Sequence, residues 1–187
     1  MKIYENQVFE NIDYSKRDIN GEYENCTFKN CNFSNVDLSN IPFSECNFLS
    51  SDFSNAELLH TGLKDVQFKS CKLIGLNFNA CNKFLLEFNF VDCQLKYASF
   101  YELKLKGMTL KNCDLQEADF MMADLTGSIF ENCNLERAAF DHSNLEKVDF
   151  QTAFNYSIDP GNNRMEGAKF SLAGVTGLLD KYNIIIN

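Results

Sequence analysis

A large apolar residue recurs at every fifth position along most of this 187-residue chain. The recurrence runs from Tyr23 to Phe78 and again from Phe90 to Phe150, and every member of the second run is Phe or Leu. A small residue, often alanine or cysteine, stands two positions before most of them. A period of five fits neither the 3.6-residue period of an α-helix nor the two-residue period of a strand. It predicts a bend every five residues, with the large and the small residue both turned inward.

Four such bends close one square coil of about 20 residues, so that residues one coil apart should stack. Phe100, Phe120 and Phe140 are expected to form one ladder of this kind. The eight cysteines occupy the small inward slot and include no C-x₂-C pair. We therefore expect buried free thiols, and neither disulfides nor a metal centre. The two histidines, His60 and His142, occupy outward positions and are expected on the surface.

The sequences C-N-L-E-R at residues 133–137 and A-D-F-M-M at residues 118–122 resemble the repeats of the pentapeptide-repeat family. The resemblance covers residues 1–170. It implies an all-β fold, a right-handed quadrilateral parallel β-helix whose coils stack about 4.8 Å apart. No cofactor is expected.

Two breaks interrupt the period. An early series is one residue out of phase with Tyr23, which indicates either a one-residue deletion near residues 20–21 or a ragged first coil. The members of this series are Tyr4, Phe9, Tyr14 and Ile19. The second break is an insertion of two residues within residues 79–89. It is interpreted as a bulge at one corner or as a short projecting loop that carries Lys83 and Phe84 to a partner.

The last segment, residues 171–187, departs from the repeat. Ser171 is a candidate N-cap for a short helix, and residues 184–186 form an apolar tail. An apolar stripe at helical spacing comprises Leu172, Val175, Leu178, Leu179 and Tyr182. A cap on the open end of the coil would explain such a helix. Because the stripe is more apolar than a lid facing water needs to be, we predict that it also forms a homodimer contact.

Acidic residues are concentrated late in the chain. The formal net charge is −9, and residues 113–150 hold nine acids against two bases. This charge argues against direct binding to nucleic acid or to an anionic membrane surface. The candidate partner-binding acids are Asp114, Glu117, Asp119, Glu131, Glu136 and Asp141. The alternative is that the acids only keep a Phe-rich coil soluble.

Each coil side holds about four residues near 3.3 Å each, so with side chains the rod is roughly 20 Å across, about the width of duplex DNA. Residues 157–182 resemble the ending of the Qnr-type quinolone-resistance proteins. This resemblance implies a dimeric DNA mimic that binds DNA gyrase, and often topoisomerase IV, and protects it from fluoroquinolones or peptide toxins. The better-known Qnr proteins carry two longer projecting loops, whereas this chain has only the two-residue insertion.

Catalysis has little support in the sequence. No nucleophile–base–acid set and no glycine-rich phosphate loop is visible. No signal peptide or membrane-spanning run is visible either, so a cytoplasmic location is expected. The rival prediction is a generic scaffold protein, since the repeat occurs in many interaction proteins. The sequence does not identify the natural ligand, whether drug, toxin or the topoisomerase itself.

Overall fold

The computed structural model describes residues 2–84 and 86–185, which form successive square coils followed by a short cap. The regular strands are three or four residues long because a corner follows after every five residues. They are β1 (Ile3–Glu5), β2 (Val8–Glu10), β3 (Glu22–Glu24), β4 (Thr27–Lys29), β5 (Pro42–Ser44), β6 (Asn47–Leu49), β7 (Gly62–Lys64), β8 (Val66–Lys69), β9 (Phe88–Val91), β10 (Thr109–Lys111) and β11 (Ile129–Glu131).

All strand pairs are parallel. One side of the coil carries the sheet β1-β3-β5-β7, and the next side carries the sheet β2-β4-β6-β8-β9-β10-β11. The other two sides are held by single parallel bridges, such as Asp52 with Lys72 and Asp119 with Ala139. The predicted right-handed quadrilateral β-helix is therefore confirmed. No helix among the described residues combines the length and apolar character that crossing a membrane would require.

The core is a set of four ladders, one for each side of the coil. We number the sides face 1 to face 4 in chain order. On face 1 the central residues are Tyr4, Tyr23, Phe43, Leu63, Leu105, Leu125 and Leu145, and on face 2 they are Phe9, Phe28, Phe48, Phe68, Phe90, Leu110, Phe130 and Phe150. On face 3 they are Tyr14, Phe33, Phe53, Leu73, Leu95, Leu115 and Leu135, and on face 4 they are Leu38, Leu58, Phe78, Phe100, Phe120 and Phe140. Nearly all are fully buried.

Rings within a ladder stack on one another. The predicted ladder on face 4 is confirmed: the Phe100 and Phe120 ring centroids lie 4.8 Å apart, and those of Phe120 and Phe140 lie 5.1 Å apart. The rings in each pair are nearly parallel, at 3° and 8°. Rings from neighbouring faces meet edge to face, as Phe120 and Phe130 do at 84°. Such geometries stabilise aromatic pairs beyond the area they bury.

Most corners place one residue in the left-handed region of backbone space. Asparagine occupies many of these positions, as at Asn25 (φ 48°) and Asn112 (φ 53°), because its side chain tolerates that region. Bulkier residues also occur there, including Tyr97 (φ 60°) and Met122 (φ 59°). These two corners store local backbone strain.

Relief of that strain should stabilise the protein. We expect Tyr97→Asn to raise the free energy of unfolding by about 1 kcal/mol, because Tyr97 is exposed and its corner favours asparagine. The control is Phe154→Asn, since Phe154 is an exposed aromatic residue without a positive φ. Urea unfolding of both variants tests this. A gain of equal size at both positions would contradict the strain explanation.

The early register break lies at Gly21. Strand β1 pairs with β3 at an offset of 19 residues, whereas β3 pairs with β5 at 20. Gly21 has a φ of +114°, and a Cβ there would lie 2.6 Å from the Lys2 carbonyl oxygen. Only glycine fits so close to the first coil, so the missing residue is absorbed at this position.

All eight cysteines are buried and free, as the sequence predicts. Most of the thiols donate to backbone carbonyls, as Cys113 does to the Lys111 oxygen at 3.3 Å. Burial raises the pKa of Cys46 and of Cys81 to about 12, because a thiolate would be poorly solvated there. In this environment the cysteines pack as small apolar side chains.

Candidate macromolecular interface

The nine acids of residues 113–150 all lie on the outside of the coil, but most are already paired with a base. Asp114 meets Lys96 at 3.2 Å, and Glu131 meets Lys111 at 2.7 Å. The six ion pairs join neighbouring coils: Asp114–Lys96, Glu117–Arg137, Asp124–Lys106, Glu131–Lys111, Glu146–Arg164 and Asp149–Lys169. The carboxylate of Glu131 raises the pKa of Lys111 above its ordinary value. These pairs are solvent-exposed, so each contributes little to stability while cancelling local charge.

Three of the nine acids form no ion pair within the described residues. Asp119 and Asp141 lie on face 4, and Glu136 lies on face 3. Glu136 accepts a hydrogen bond from the Gln116 amide at 2.8 Å. The six predicted partner-binding acids are thus divided: Asp119, Glu136 and Asp141 keep their charge uncompensated, while the remaining three are ion-paired.

The spacing of acids and bases along the sequence predicts this ion pairing, although the net charge does not show it. Partners are separated by 20 residues, as in Lys111 and Glu131, or by 18 residues, as in Lys96 and Asp114. Residues at these spacings sit above one another on adjacent coils. A count of acids and bases along the chain misses this, because several of the bases lie outside residues 113–150.

The two-residue insertion lies between Asn82 and Glu87. Before the insertion the coil is regular, since the Asn82 amide donates to the Thr61 carbonyl on the previous coil. After it, Val66 pairs with Phe88 at an offset of 22 residues in place of the regular 20. Face 1 loses its regular strands beyond this point. The insertion is therefore a local bulge on face 1, just after the corner at Ala80.

The bulge exposes both residues that the sequence singled out. Phe84 is 80% exposed, and its backbone amide donates to the Asn82 side chain at 3.0 Å. Lys83 is also exposed. Leu86 packs against the core, and Phe88 fills an inward slot, with its ring 5.1 Å from that of Phe78. Lys83 and Phe84 lie on a different face from Asp119 and Asp141.

The cap after the last coil consists of two 3₁₀-helices, Gly174–Leu178 and Asp180–Tyr182, in place of the predicted continuous helical stripe. The Ser171 hydroxyl accepts a hydrogen bond from the Gly174 amide at 3.0 Å, but the N-cap of the first 3₁₀-helix is Ala173, which makes no side-chain cap bond, in place of the predicted Ser171. Gly177 lies so close to Tyr156 that a Cβ would be 2.1 Å from the Tyr156 carbonyl oxygen. This close packing on the last coil holds the segment in short turns.

The predicted dimer residues do not share one side of the cap. Leu178 packs against the core, and Leu179 is half-buried. Leu172 is 91% exposed, and Val175 and Tyr182 are also exposed. The apolar tail is described to Ile185, which is exposed as well, while residue 186 lies outside the described residues. The cap therefore covers the coil with one set of side chains and presents another set to solvent.

A cleft of 640 Å³ separates the cap from the last coil. Its lining includes Glu136, Tyr156 and Asp180. The Tyr156 hydroxyl is buried without a hydrogen-bond partner among the described residues. No group of three or more metal-ligating side chains occurs in the part of the chain that the structure describes.

The sequence matches the family profile described as a pentapeptide repeat region, over residues 22–89 and 83–155. The chain belongs to the pentapeptide-repeat family. No curated protein matches the sequence significantly.

Among solved structures, this pentapeptide-repeat chain is similar to two trypsin-treated variants of QnrB1, a plasmid-mediated fluoroquinolone resistance protein. Both reach a TM-score of 0.59 at 18% sequence identity. The first alignment covers 100% of each chain, and the second covers 99% of this chain and 98% of QnrB1. HetL, which is involved in heterocyst differentiation regulation in the cyanobacterium Nostoc, matches at a TM-score of 0.48 and 17% identity over 91% of this chain and 84% of its own. The likeness to QnrB1 shows a shared fold.

Proposed function

We propose that this pentapeptide-repeat protein is a homodimeric DNA mimic that binds DNA gyrase or topoisomerase IV and protects it from fluoroquinolones or gyrase-directed toxins. The observation that carries the proposal is the full-length fold match to a fluoroquinolone resistance protein. The Qnr-like ending of the sequence supports the same function.

The charge of the late coils supports DNA mimicry. Asp119, Glu136 and Asp141 keep uncompensated negative charge on a rod of about the width of DNA. Duplex DNA carries one charge per about 1.7 Å of axis, far more than this rod, so the mimicry concerns shape and sign. Opposite charges would steer association with a DNA-binding protein.

The exposed side of the cap supports assembly into a dimer. Leu172, Val175 and Tyr182 of the cap are exposed apolar side chains at the end of the rod. Burial of these side chains against a second copy would remove them from water and place the late coils of both copies near a twofold axis.

One observation favours a second candidate function, a generic scaffold. Six of the nine acids in residues 113–150 are ion-paired, as expected of a surface selected for solubility and coil stacking. A scaffold would bind some other macromolecule and would leave topoisomerases unaffected.

Expression in a fluoroquinolone-susceptible bacterium separates the two functions. The proposal predicts a several-fold rise in the inhibitory concentration of ciprofloxacin, of a gyrase-directed toxin, or of both. The control is an antibiotic that acts on the ribosome, whose inhibitory concentration should not change. Unchanged ciprofloxacin and toxin values, with the protein abundant and folded, would favour the scaffold.

A further inference from the structure

Face 4 differs from the other three faces in charge. Its residues are 36–40, 56–60, 76–80, 98–102, 118–122 and 138–142, and none of them is lysine or arginine. The ion pairs that join neighbouring coils all lie on faces 1 to 3 or at their corners. Arg137, on the neighbouring corner, is paired with Glu117 at 3.8 Å, and Lys181 of the cap, which lines a pocket together with Asp141, is paired with Asp159. One side of the rod therefore carries no lysine or arginine over six coils, and its two histidines are His60 and His142.

The acids on face 4 are unpaired. None of them forms an ion pair with a described residue, and all except the half-buried Asp119 are exposed. They are Asp37, Glu57, Glu102, Asp119 and Asp141. These five acids thus supply five of the nine net negative charges of the chain. Other faces also hold acids without an ion pair among the described residues, such as Glu24 and Glu45 on face 1, but those faces carry lysine or arginine as well.

Face 4 also exposes apolar side chains beside these acids. Leu59 is 52% exposed and Met122 is 50% exposed, and Tyr101 and Met121 are half-buried. The Tyr101 hydroxyl donates to the Met122 sulfur at 3.3 Å. Leu59, Tyr101 and Met121 each directly follow the central buried residue of their coil, so they lie along one line, with one coil between Leu59 and Tyr101.

A polar group on the same line lacks a partner. Asn79 occupies the position between Leu59 and Tyr101, and its side-chain oxygen is buried with no hydrogen bond from the described residues. A buried acceptor of this kind is costly unless a donor reaches it. The line therefore combines apolar area with one polar side chain whose oxygen is buried.

These features define the chemistry of a partner. The charge of face 4 repels nucleic acid, an anionic membrane and a second copy of the same face. It favours a surface that carries lysine or arginine, and the apolar line favours one that also carries apolar side chains. We propose that face 4 is the docking face for a basic, partly apolar protein surface. This inference rests on the proposed function, in which that surface belongs to the DNA-binding region of the topoisomerase.

Two matched triple variants test the choice of face. The first is Glu102→Gln with Asp119→Asn and Asp141→Asn on face 4, and the second is Asp124→Asn with Glu146→Gln and Asp149→Asn, three ion-paired acids on faces 1 and 2. Each raises the net charge by three. Asp119 and Asp149 each accept a hydrogen bond of 2.9 Å from the amide two residues later, and asparagine can keep it.

Binding to immobilised gyrase is measured for both over a salt series. The face 4 triplet should weaken binding by about tenfold or more and reduce its salt dependence, while the control changes affinity by less than about threefold. Equal losses, or a larger loss from the control, would overturn the assignment of the face while leaving gyrase binding in place.

The apolar line is tested separately. Met121→Ser should weaken binding by about tenfold without altering its salt dependence, because it removes buried contact area and no charge. The control is Ile129→Ser, which removes an exposed apolar side chain from face 2. Thermal unfolding of both variants shows whether they remain folded. An unchanged affinity for folded Met121→Ser would overturn the apolar contribution.

If the wild-type protein does not bind gyrase, the proposed function fails and face 4 is tested with a second probe. The probe is a fluorescein-labelled amphipathic peptide of arginine and leucine, and its binding is read by anisotropy. Loss of peptide binding in the face 4 triplet, with the control triplet unaffected, would support the docking face. Equal binding by both triplets would overturn it.

Discussion

Replacement of Phe120 by alanine is expected to lower the free energy of unfolding by about 3–5 kcal/mol. The side chain is fully buried and lies between two parallel rings, those of Phe100 and Phe140. Its loss leaves a cavity that rigid neighbouring coils cannot fill. Urea denaturation followed by circular dichroism measures the change.

Cys113→Ala is the matched control, because Cys113 lies on the same coil and is equally removed from water. Alanine fits the small inward slot and removes only the thiol, so the expected loss is about 1 kcal/mol. Equally mild effects of the two substitutions would contradict the division of the core into large and small slots.

Leu172→Asp is expected to convert the proposed dimer into a folded monomer. Leu172 is 91% exposed in the single chain, so aspartate costs little there, whereas an unpaired charge buried in an apolar contact is strongly destabilising. The dimer dissociation constant should rise by about a thousandfold. Size-exclusion chromatography with light scattering measures it.

Val8→Asp serves as the control, since Val8 is a similarly exposed apolar residue in the first coil, far along the chain from the cap. It should leave the dimer intact. If the wild-type protein is monomeric at micromolar concentration, both the proposed dimer and the twofold arrangement of the late coils are wrong. Leu178→Asp is a poorer test than Leu172→Asp, because Leu178 packs against the core.

The coil itself could be predicted from the sequence because its period leaves few alternatives. A residue such as Phe120 meets its neighbours at fixed offsets of 20, so the spacing alone places Phe100 and Phe140 on either side. The one-residue deletion near residues 20–21 is also visible as a phase shift, and the structure attributes it to Gly21.

The cap could not be predicted in the same way. Leu172, Val175 and Leu178 recur at helical spacing, but spacing does not show how closely the segment approaches the last coil. Gly174 and Gly177 lie against Tyr156, and this contact between distant parts of the chain selects short 3₁₀ turns. Tertiary packing overrides the local pattern here.

The candidate interface could be predicted only in part. The acids were visible in the sequence, but their charge is decided by bases one coil away, such as Lys96 beside Asp114. The spacing rule that follows from the coil explains these pairs. Applied to face 4, the same rule finds no base for Asp141, and the one base at such a spacing from Asp119, Arg137, is paired with Glu117 instead. Composition therefore locates the acidic coils, whereas coil geometry locates the acidic face.

Protection of purified gyrase is the decisive measurement for the proposed function. Supercoiling of relaxed plasmid is measured with ciprofloxacin present, with and without the wild-type protein, over a series of salt concentrations. The protein is expected to restore supercoiling at low salt and to lose this effect as salt screens the charges on face 4. Failure to restore supercoiling at any salt concentration, with both proteins active and folded, would contradict the proposed function.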